Sequence, residues 1–499
     1  MSIKQFAAKL FARYIVKETQ KWVKQPLNSQ QKVFKDLIQK AKRTQFGIDH
    51  DFARISSLKD FQEKIPVRNY EELRTYFDEV INGKPDVLWP GKPLYLAKTS
   101  GTTSGAKYIP LTKDSMPNHT DAARNAILHY LYESGNYKIV DKKMIFLQGS
   151  PVLKKKNGIN FGRLSGIVAH FVPSYLQKNR LPSWETNCID DWEQKVETIT
   201  NETQEEDMGI ISGIPSWVQT YFERLYERNH KKIGDIFPNF DLFIYGGVNY
   251  EPYRNKFEGY IGKSVDSIEL FPASEGFFAY QDKQDVDGML LLLNAGIFYE
   301  FIPVNDYLND DWQAVSIEQV EKEVNYLLVI SSNAGLWRYN IGDTVKFTSL
   351  QPYRIIVSGR IKHFTSAFGE HVIASEVEKA MKQASDEHQV SVNEFSVAPQ
   401  INPPNGCLPY HEWFIEFSQM PKSLEGFAHS LDTLMQQQNP YYKDLISGKI
   451  LRRLIISPIA KNGFQNYMKS QGKLGGQNKV ARLANDRKIA EELEKFKKE

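Results

Sequence analysis

The sequence is poor in cysteine, with only Cys188 and Cys407 among its 499 residues. Two widely separated cysteines form neither a C-x-x-C motif nor the spacing of a zinc site, and they are compatible with a reducing compartment. The chain also lacks a run of about 18 apolar residues, so no segment is predicted to span a membrane. We therefore predict a cytoplasmic protein.

The sequence also lacks a large excess of charge of either sign, because 63 basic and 60 acidic residues leave a net charge of only +3. A balance this even gives no support for nucleic-acid binding. The patterns G-x-G-x-x-G, H-E-x-x-H and G-x-S-x-G are absent too, so no dinucleotide cofactor, zinc protease or serine nucleophile is indicated. We expect a monomer whose partners are small molecules.

What is present is an alternation of helical and strand-like segments, which predicts an α/β fold. Residues 1–25 have apolar residues at helical spacing, which predicts a helix packed on the domain, with a membrane-surface helix as the alternative. A large domain over 1–357 and a small one over 358–499 are expected. Buried strands are predicted at 144–147, 241–245, 268–271, 289–293 and 326–330, and helices at 191–200 and 216–228.

The segment KTSGTTSGAK at 98–107 is the most informative stretch, and it directly follows a predicted strand at 93–97. Glycines let backbone N–H groups close around phosphate oxygens, hydroxyl groups add donors, and lysine adds charge. The spacing departs from the Walker pattern, since three residues rather than four separate the glycines. We predict a phosphate-binding loop of another kind, and an ordinary surface turn is the alternative.

Further glycine-rich and acidic segments follow predicted strands. Gly246 and Gly247 end the strand at 241–245, where missing side chains would let a flat ligand approach the backbone. In FPASEG at 271–276, Glu275 is a plausible magnesium ligand, because a hard cation prefers a carboxylate with phosphate oxygens. The alternative for Ser274 and Glu275 is a capped turn that opens a helix.

Two segments nearer the carboxyl terminus carry candidate charges. The first is WRYNIGD at 337–343, followed by Gly359 and Arg360. Its Gly-Asp pair is a candidate for ligand binding, and the alternative is that the pair only forms a hairpin turn. The second is GGQNKVAR at 475–482, which contains Lys479.

The order of these segments resembles that of the adenylate-forming enzymes, whose loop is similar to T-S-G-T-T-G-x-P-K. Finer details are the displaced glycine of TSGTTSGAKYIPLT, the GIPSW at 213–217 and the ending GGQNKVARLANDR. These resemble the acyl-acid amido synthetases of the Gretchen Hagen, or auxin-responsive promoter, family. Within that family the chain resembles a bacterial-type member. The resemblance covers nearly the whole chain.

The resemblance implies a large N-terminal ATP- and acyl-binding domain with mixed sheets and flanking helices, and a small mobile α+β C-terminal domain. It also implies ATP-dependent adenylation of a carboxylic acid with Mg²⁺, and transfer of the acyl group to an amino acid's amine. Lys107, Glu275 and Lys479 would be catalytic, with Glu275 on the metal and Asp343 on the ribose. The nucleotide would contact Thr99, Ser100, Gly101, Thr102, Thr103, Ser104, Gly246, Gly247, Phe271, Ser274, Asp343 and Arg360.

The bulky residues Trp217, Tyr245 and Phe277 flank the motifs and are candidates for an acyl pocket, although such residues are also ordinary core residues. Two positions depart from the plant members: Ala273 replaces a serine, and His371 replaces a lysine. If that lysine contacts nucleotide, its role would pass to His371, Lys362 or Lys479.

Three other functions stay open. Coenzyme A could accept the acyl group after the same adenylation, or the chain could be an inert acyl- or nucleotide-binding protein. A scaffold bound to a membrane surface by the N-terminal helix is a weaker alternative. The base that deprotonates the amine is not identified, and His170 and His371 are only candidates.

Overall fold

A computed structural model describes residues 1–99, 107–172, 177–247, 250–361, 364–365, 372–401, 403, 407–447, 451–472, 480–484 and 486–498. These form two compact units. The first contains Met1–Asn249, Glu258–Ile341 and Val345–Val357, and the second contains Tyr250–Phe257, Gly342–Thr344 and Ser358–Glu499. The domain boundary at residues 357 and 358 and the mobility of the smaller domain stay predictions.

The helices predicted at 1–25, 191–200 and 216–228 are present within a few residues of their expected ends, among other α helices. Their bounds are Ile3–Val23, Pro26–Ala41, Gln45–Asp49, Leu58–Lys64, Arg74–Ile81, Met116–Ser134, Leu164–Ala169, Trp184–Asn187, Trp192–Thr203, Pro215–Asn229, Ile233–Ile236, Glu251–Ile261, Val304–Leu308, Ala374–His388, Leu424–Gln438, Pro440–Ser447, Gly463–Ser470 and Lys488–Leu493. Short 3₁₀ helices cover Phe52–Arg54, Tyr137–Asp141 and Glu494–Phe496.

The strands include all five buried strands predicted from the sequence, each within a few residues of its expected ends. Their bounds are β1 (Tyr95–Thr99), β2 (Lys107–Leu111), β3 (Lys143–Phe146), β4 (Lys154–Lys156), β5 (Ile159–Gly162), β6 (Arg180–Leu181), β7 (Met208–Ser212), β8 (Leu242–Gly246), β9 (Asp266–Ala273), β10 (Gly276–Tyr280), β11 (Met289–Leu291), β12 (Ile297–Pro303), β13 (Val315–Ser316), β14 (Asn325–Ser332), β15 (Leu336–Leu350), β16 (Tyr353–Arg360), β17 (Phe364–Thr365), β18 (Val372–Ile373), β19 (Ser391–Gln400), β20 (Tyr410–Gln419) and β21 (Ile455–Pro458).

The main sheet is mixed, as the resemblance implied. Its described strands follow the order β13-β12-β14-β15-β16-β11-β10-β9-β8-β7-β3-β6. The five strands β9, β8, β7, β3 and β6 run parallel to one another. The strand β10 is antiparallel to both of its neighbours, β9 and β11. In a parallel sheet the loops at the carboxyl ends of the strands form the usual ligand-binding edge. A separate sheet has the order β2-β1-β5-β4.

The parallel strands are buried because their residues are apolar on both faces. In β8, four successive residues from Leu242 to Tyr245 are buried, and β7 shows the same pattern. Helices cover these faces, including Met116–Ser134, which packs along β9 and β10. The apolar runs that predicted strands are thus strands with two covered faces.

The N-terminal helix is confirmed and packs on the first unit. It buries Ala12 and Ile15 in one cluster with Ala122 and Ala126 of the helix Met116–Ser134. Its other face leaves larger apolar side chains exposed, among them Ile3, Phe6, Leu10 and Tyr14. Among the described helices, none combines the length and the apolarity that crossing a bilayer demands.

The second unit has an α+β architecture with its own core. The sheet β19-β20-β21 packs against the helices Ala374–His388 and Leu424–Gln438, with Trp413 and Phe427 fully buried in the shared cluster. The third strand of this sheet, β21, begins at Ile455 and is parallel to β20.

Candidate active site

The ends of the phosphate-loop segment lie on two paired strands. β1 and β2 are antiparallel, and Thr99 pairs with Lys107. The predicted contact residues Ser100, Gly101, Thr102, Thr103 and Ser104 lie outside the described residues. The loop therefore connects two neighbouring positions of one hairpin, so its two ends are held together by the ladder.

Lys107 is held against an aromatic ring at the end of this loop. Its Nζ lies 5.5 Å from the centroid of the Tyr70 ring, which is a cation–π distance. The Tyr70 hydroxyl in turn accepts a hydrogen bond of 3.2 Å from the backbone N–H of Tyr108. Tyr70 thus positions the lysine side chain and the strand that carries it, and no sequence pattern had selected this tyrosine.

The carboxyl end of β8 carries the two glycines, and the approach of a flat ligand to them stays a prediction. Gly246 pairs with Leu270 of β9, and a Cβ at Gly246 would lie 2.5 Å from the Leu270 carbonyl oxygen. Gly247 has φ of +78°, a conformation that favours glycine. Both glycines are therefore required by the local backbone, whether or not a ligand binds there.

Ser274 and Glu275 form the two-residue turn between β9 and β10. Ala273 pairs with Gly276 across this turn, so the two strands form a tight hairpin. The alternative in which Ser274 and Glu275 open a helix is therefore wrong. The buried run from Gly276 to Tyr280 places β10 between β9 and β11, and this burial overrides the capping pattern. Both turn side chains are half-buried.

A buried asparagine anchors the strand that follows the turn. Asn118 accepts a hydrogen bond from the Phe277 N–H (2.7 Å) and donates one to the Phe277 carbonyl (2.9 Å). Phe277 lies opposite Pro272, which has no N–H to donate, and the pairing is irregular just beyond it. Asn118 supplies the donor that the proline lacks. The two residues are 159 positions apart, so sequence reasoning had no signal for this contact.

The predicted acyl-pocket residues are all buried. Trp217 packs its ring 4.6 Å from that of Trp192, and Tyr245 stacks on Phe243 at 5.5 Å. Phe277 is also buried. Since these contacts are those of ordinary core residues, the acyl pocket stays a prediction. Phe271, predicted to pack on the nucleotide, is buried against Phe278 at 5.0 Å.

In the second unit, Asp343 forms an ion pair with Arg360, with 2.5 Å between Oδ1 and Nε. Gly342 and Asp343 lie inside the long strand β15, so the hairpin-turn alternative for them is wrong. Gly342 has φ of +84°, and its carbonyl accepts a hydrogen bond of 2.7 Å from the Ile361 N–H. The two motif residues Asp343 and Arg360 are thus brought together, and a ribose at Asp343 would share the carboxylate with the guanidinium.

The candidate lysine near the carboxyl terminus, Lys479, lies outside the described residues, as do Lys362 and His371. The chain that follows Lys479 is well anchored. Arg482 forms ion pairs with Glu378 (3.3 Å) and Glu394 (3.2 Å), and its carbonyl accepts a hydrogen bond from the Val397 N–H. Burial raises the pKa of Glu394, an effect that the charge of Arg482 opposes.

The proposed magnesium site rests on one acidic residue. Within the described ranges, no cluster of three or more histidine, cysteine, aspartate or glutamate side chains could hold a metal ion. That is compatible with Mg²⁺, which is usually bound by one or two carboxylates together with phosphate oxygens. The half-buried Glu275 fits this role. His170, a candidate base, has its Nε2 2.9 Å from the Pro151 carbonyl, so that nitrogen is engaged with the backbone.

Comparison with known families shows matches along most of the chain, in order. The GH3 family N-terminal domain matches residues 15–187, the central domain residues 290–360 and the C-terminal domain residues 375–488. The chain belongs to the GH3 family. This confirms the family that the loop, the GIPSW segment and the C-terminal motif indicated.

Curated relatives of this GH3 chain include plant amido synthetases. It is 22% identical over 363 residues to the jasmonoyl--L-amino acid synthetase JAR4 of Nicotiana attenuata, a match covering 57% of this chain and 60% of JAR4. It is 31% identical over 128 residues to the indole-3-acetic acid-amido synthetase GH3.15 of Arabidopsis thaliana, covering 24% of this chain and 20% of that protein. The chain thus spans less than two thirds of the relatives' length.

Solved structures share the fold over nearly the whole GH3 chain. The AtGH3.15 acyl acid amido synthetase in complex with 2,4-DB has a TM-score of 0.79 at 16% identity, covering 98% of this chain and 96% of that one. A 2-hydroxyisobutyryl-CoA ligase in the postadenylation state has a TM-score of 0.57 at 13% identity, covering 95% and 91%. The predicted α/β fold of the adenylate-forming enzymes is therefore confirmed.

Proposed function

We propose that this protein is an ATP-dependent acyl-acid amido synthetase, which adenylates a carboxylic acid and transfers the acyl group to the amine of an amino acid. The observation that carries this proposal is the ordered match of all three GH3 domains between residues 15 and 488. The relatives named as amido synthetases support the same activity.

In the first half-reaction, a carboxylate oxygen of the acid attacks the α-phosphorus of ATP. The bond from the α-phosphorus to the bridging oxygen breaks, and pyrophosphate leaves. Negative charge on the phosphate oxygens is stabilised by fixed donors, so the loop that ends at Thr99 and Lys107 would bind there. Ser274 adds a hydroxyl donor from its tight turn.

Glu275 would hold Mg²⁺, which when bound neutralises part of the phosphate charge. The turn that carries Glu275 is rigid, because the ladder between β9 and β10 closes it and Asn118 anchors the next residues. A fixed carboxylate is pre-organised and needs little rearrangement during the reaction.

In the second half-reaction, the amine nitrogen attacks the acyl carbon, the acyl–oxygen bond to the phosphate breaks, and AMP leaves. The amine must be neutral, and it releases a proton during this step. Asp343 would bind the ribose hydroxyls and Lys479 would be the catalytic lysine, and both roles are carried over from the family resemblance.

Exchange of radiolabelled pyrophosphate into ATP, measured against a panel of carboxylic acids, tests the first half-reaction. We expect acid-dependent exchange that Glu275→Ala loses. Product analysis with amino acids and with coenzyme A as acceptors then separates an amido synthetase from a CoA ligase. Acid-dependent exchange followed by thioester formation alone would contradict the proposed transfer, and no AMP binding in an equilibrium titration would contradict adenylation itself.

A further inference from the structure

A second polar region lies beyond strand β3, at the same edge of the parallel sheet as the turn that carries Glu275. The chain continues from β3 beside β7, since the Leu147 N–H donates to the Ser212 carbonyl at 2.8 Å. In the sheet order β3 is three strands from β9, which corresponds to about 14 Å at ~4.8 Å per strand. The region is thus on the ligand-binding edge but separate from the turn at Ser274.

The backbone of this region is tightly held. The side chain of Lys195, 3% exposed, donates hydrogen bonds from Nζ to the carbonyls of Gln148 (3.1 Å) and Asn187 (2.7 Å). A Cβ at Gly166 would lie 2.5 Å from the Ser150 carbonyl oxygen, so the helix Leu164–Ala169 packs directly on this backbone. Side chains attached here are therefore presented from a rigid frame.

Two polar groups in this frame have unused hydrogen-bonding capacity. The buried Gln148 Nε2 has no hydrogen-bond partner among the residues that the structure describes. The guanidinium of the half-buried Arg163 likewise forms no hydrogen bond or ion pair with them. Arg163 lies against Gly149, because a Cβ there would be 3.1 Å from its Cδ. A half-buried guanidinium without an anion is costly, since its five donors lose water without compensation.

The surrounding charges leave this region positive. Burial lowers the pKa of Arg163 and the nearby carboxylate of Asp190 raises it, although the two form no ion pair. Burial also lowers the pKa of Lys195, to about 8, and the charge of Arg163 adds to that lowering. The cations Arg163 and Lys195 together with the exposed carboxylate of Asp190 give a net charge of +1. One further carboxylate would neutralise that charge, whereas a phosphate dianion would exceed it.

We propose that Arg163, with the amide of Gln148, binds a substrate carboxylate other than the one that is adenylated. A planar guanidinium fork matches a carboxylate with two parallel hydrogen bonds. This inference rests on the proposed amido synthetase activity. The carboxylate has two possible sources with the same chemistry: a second acidic group on the acyl substrate, or the α-carboxylate of the amino acid acceptor.

Matched substrate pairs distinguish the two sources. In the pyrophosphate-exchange assay, which needs no acceptor, a dicarboxylic acid is compared with its monoamide. In the complete reaction, an amino acid is compared with its α-carboxamide at a fixed acid concentration. Both comparisons are made with wild type, Arg163→Gln and Arg163→Lys. Arg74→Gln, which removes a cation from an exposed pair with Glu71, is the control.

We expect Arg163→Gln to raise the KM of the charged member of one pair by roughly 10- to 100-fold, and that of the amide by less than about threefold. Arg163→Lys keeps the charge without the fork and should give an intermediate value. An effect in the exchange assay assigns the carboxylate to the acid, and an effect only in amide formation assigns it to the acceptor. Equal changes for charged and uncharged members, or no change in either pair, would overturn the proposal.

A binding measurement separates this proposal from the failure of the proposed function. Isothermal titration of glutarate and of alanine, each beside its amide, needs no turnover. Saturable binding of either carboxylate that Arg163→Gln loses and Arg74→Gln keeps would support the subsite even if wild type exchanged no pyrophosphate. Identical titrations for wild type and Arg163→Gln in both probes would overturn it. Because the Arg163 guanidinium has no bonded partner among the described residues and its burial is costly, thermal unfolding of Arg163→Gln should occur at or above the wild-type temperature.

Discussion

Replacement of Asn118 by alanine tests how the Glu275 turn is held in place. The asparagine is 7% exposed and bonds both backbone groups of Phe277, two residues beyond the turn. The opposite residue, Pro272, cannot replace the lost donor because it has no N–H. Alanine therefore leaves a backbone N–H and a carbonyl buried without their present partners.

The cost follows from the two groups left unsatisfied. Each buried polar group without a partner costs about 1–3 kcal/mol, so the free energy of unfolding should fall by about 2–6 kcal/mol. Alanine's better helix propensity returns about 0.5 kcal/mol at most. Because β10 is then held less firmly, the position of Glu275 should also be less well defined, and the rate of pyrophosphate exchange should fall by more than the loss of folded protein explains.

Chemical unfolding followed by tryptophan fluorescence measures the stability, and exchange rates are corrected for the folded fraction. Asn125→Ala is the matched control, since Asn125 lies on the same helix and its side chain accepts hydrogen bonds only from Arg124 among the described residues. We expect its unfolding free energy to change by less than about 0.5 kcal/mol. If Asn118→Ala were as stable and as active as Asn125→Ala, the anchoring role of Asn118 would be refuted.

Burial lowers the pKa of His119 and of His129 to about 4, so the unfolded chain takes up protons first as the pH falls below about 6.5. Between pH 7 and pH 5 each should lower the free energy of unfolding by about 2 kcal/mol, and a double glutamine variant that kept the full pH dependence would contradict this. Gly246→Ala places a methyl group 2.5 Å from a carbonyl oxygen of β9, so the free energy of unfolding should fall by about 1–3 kcal/mol. An unchanged free energy of unfolding would mean that β8 and β9 can move apart at little cost. Glu275→Gln should slow pyrophosphate exchange by roughly 100-fold and raise the Mg²⁺ concentration needed for half-maximal rate, whereas an unchanged Mg²⁺ dependence would remove Glu275 from the metal.

Much of the fold and the ends of the candidate loop could be predicted from local patterns. Strand β8 was visible as an apolar run ending in Gly246 and Gly247, because a strand buried on both faces must be apolar throughout. The loop between Thr99 and Lys107 was visible from composition, since glycine and hydroxyl residues next to lysine suit phosphate oxygens. The order of such motifs also indicated the family, because each carries its own backbone or charge requirement.

Other features depended on contacts between distant parts of the chain. Ser274 and Glu275 have the composition of a helix cap, and only the burial of β10 between two strands makes them a hairpin turn. The hydrogen bonds between Asn118 and Phe277 could not be predicted from the sequence either. A buried side-chain amide can bond any unpaired backbone group that the fold brings within reach.

The sequence by itself determined the α/β fold class, the main buried strands, the N-terminal helix and the family, because these depend on apolar periodicity and on chemistry carried by neighbouring residues. The tertiary structure alone decided which charges find partners. It paired Asp343 with Arg360 and left Arg163 without a described partner beside Gly149. Local composition cannot predict such a difference, because pairing depends on distances across the folded chain and on the water that burial removes.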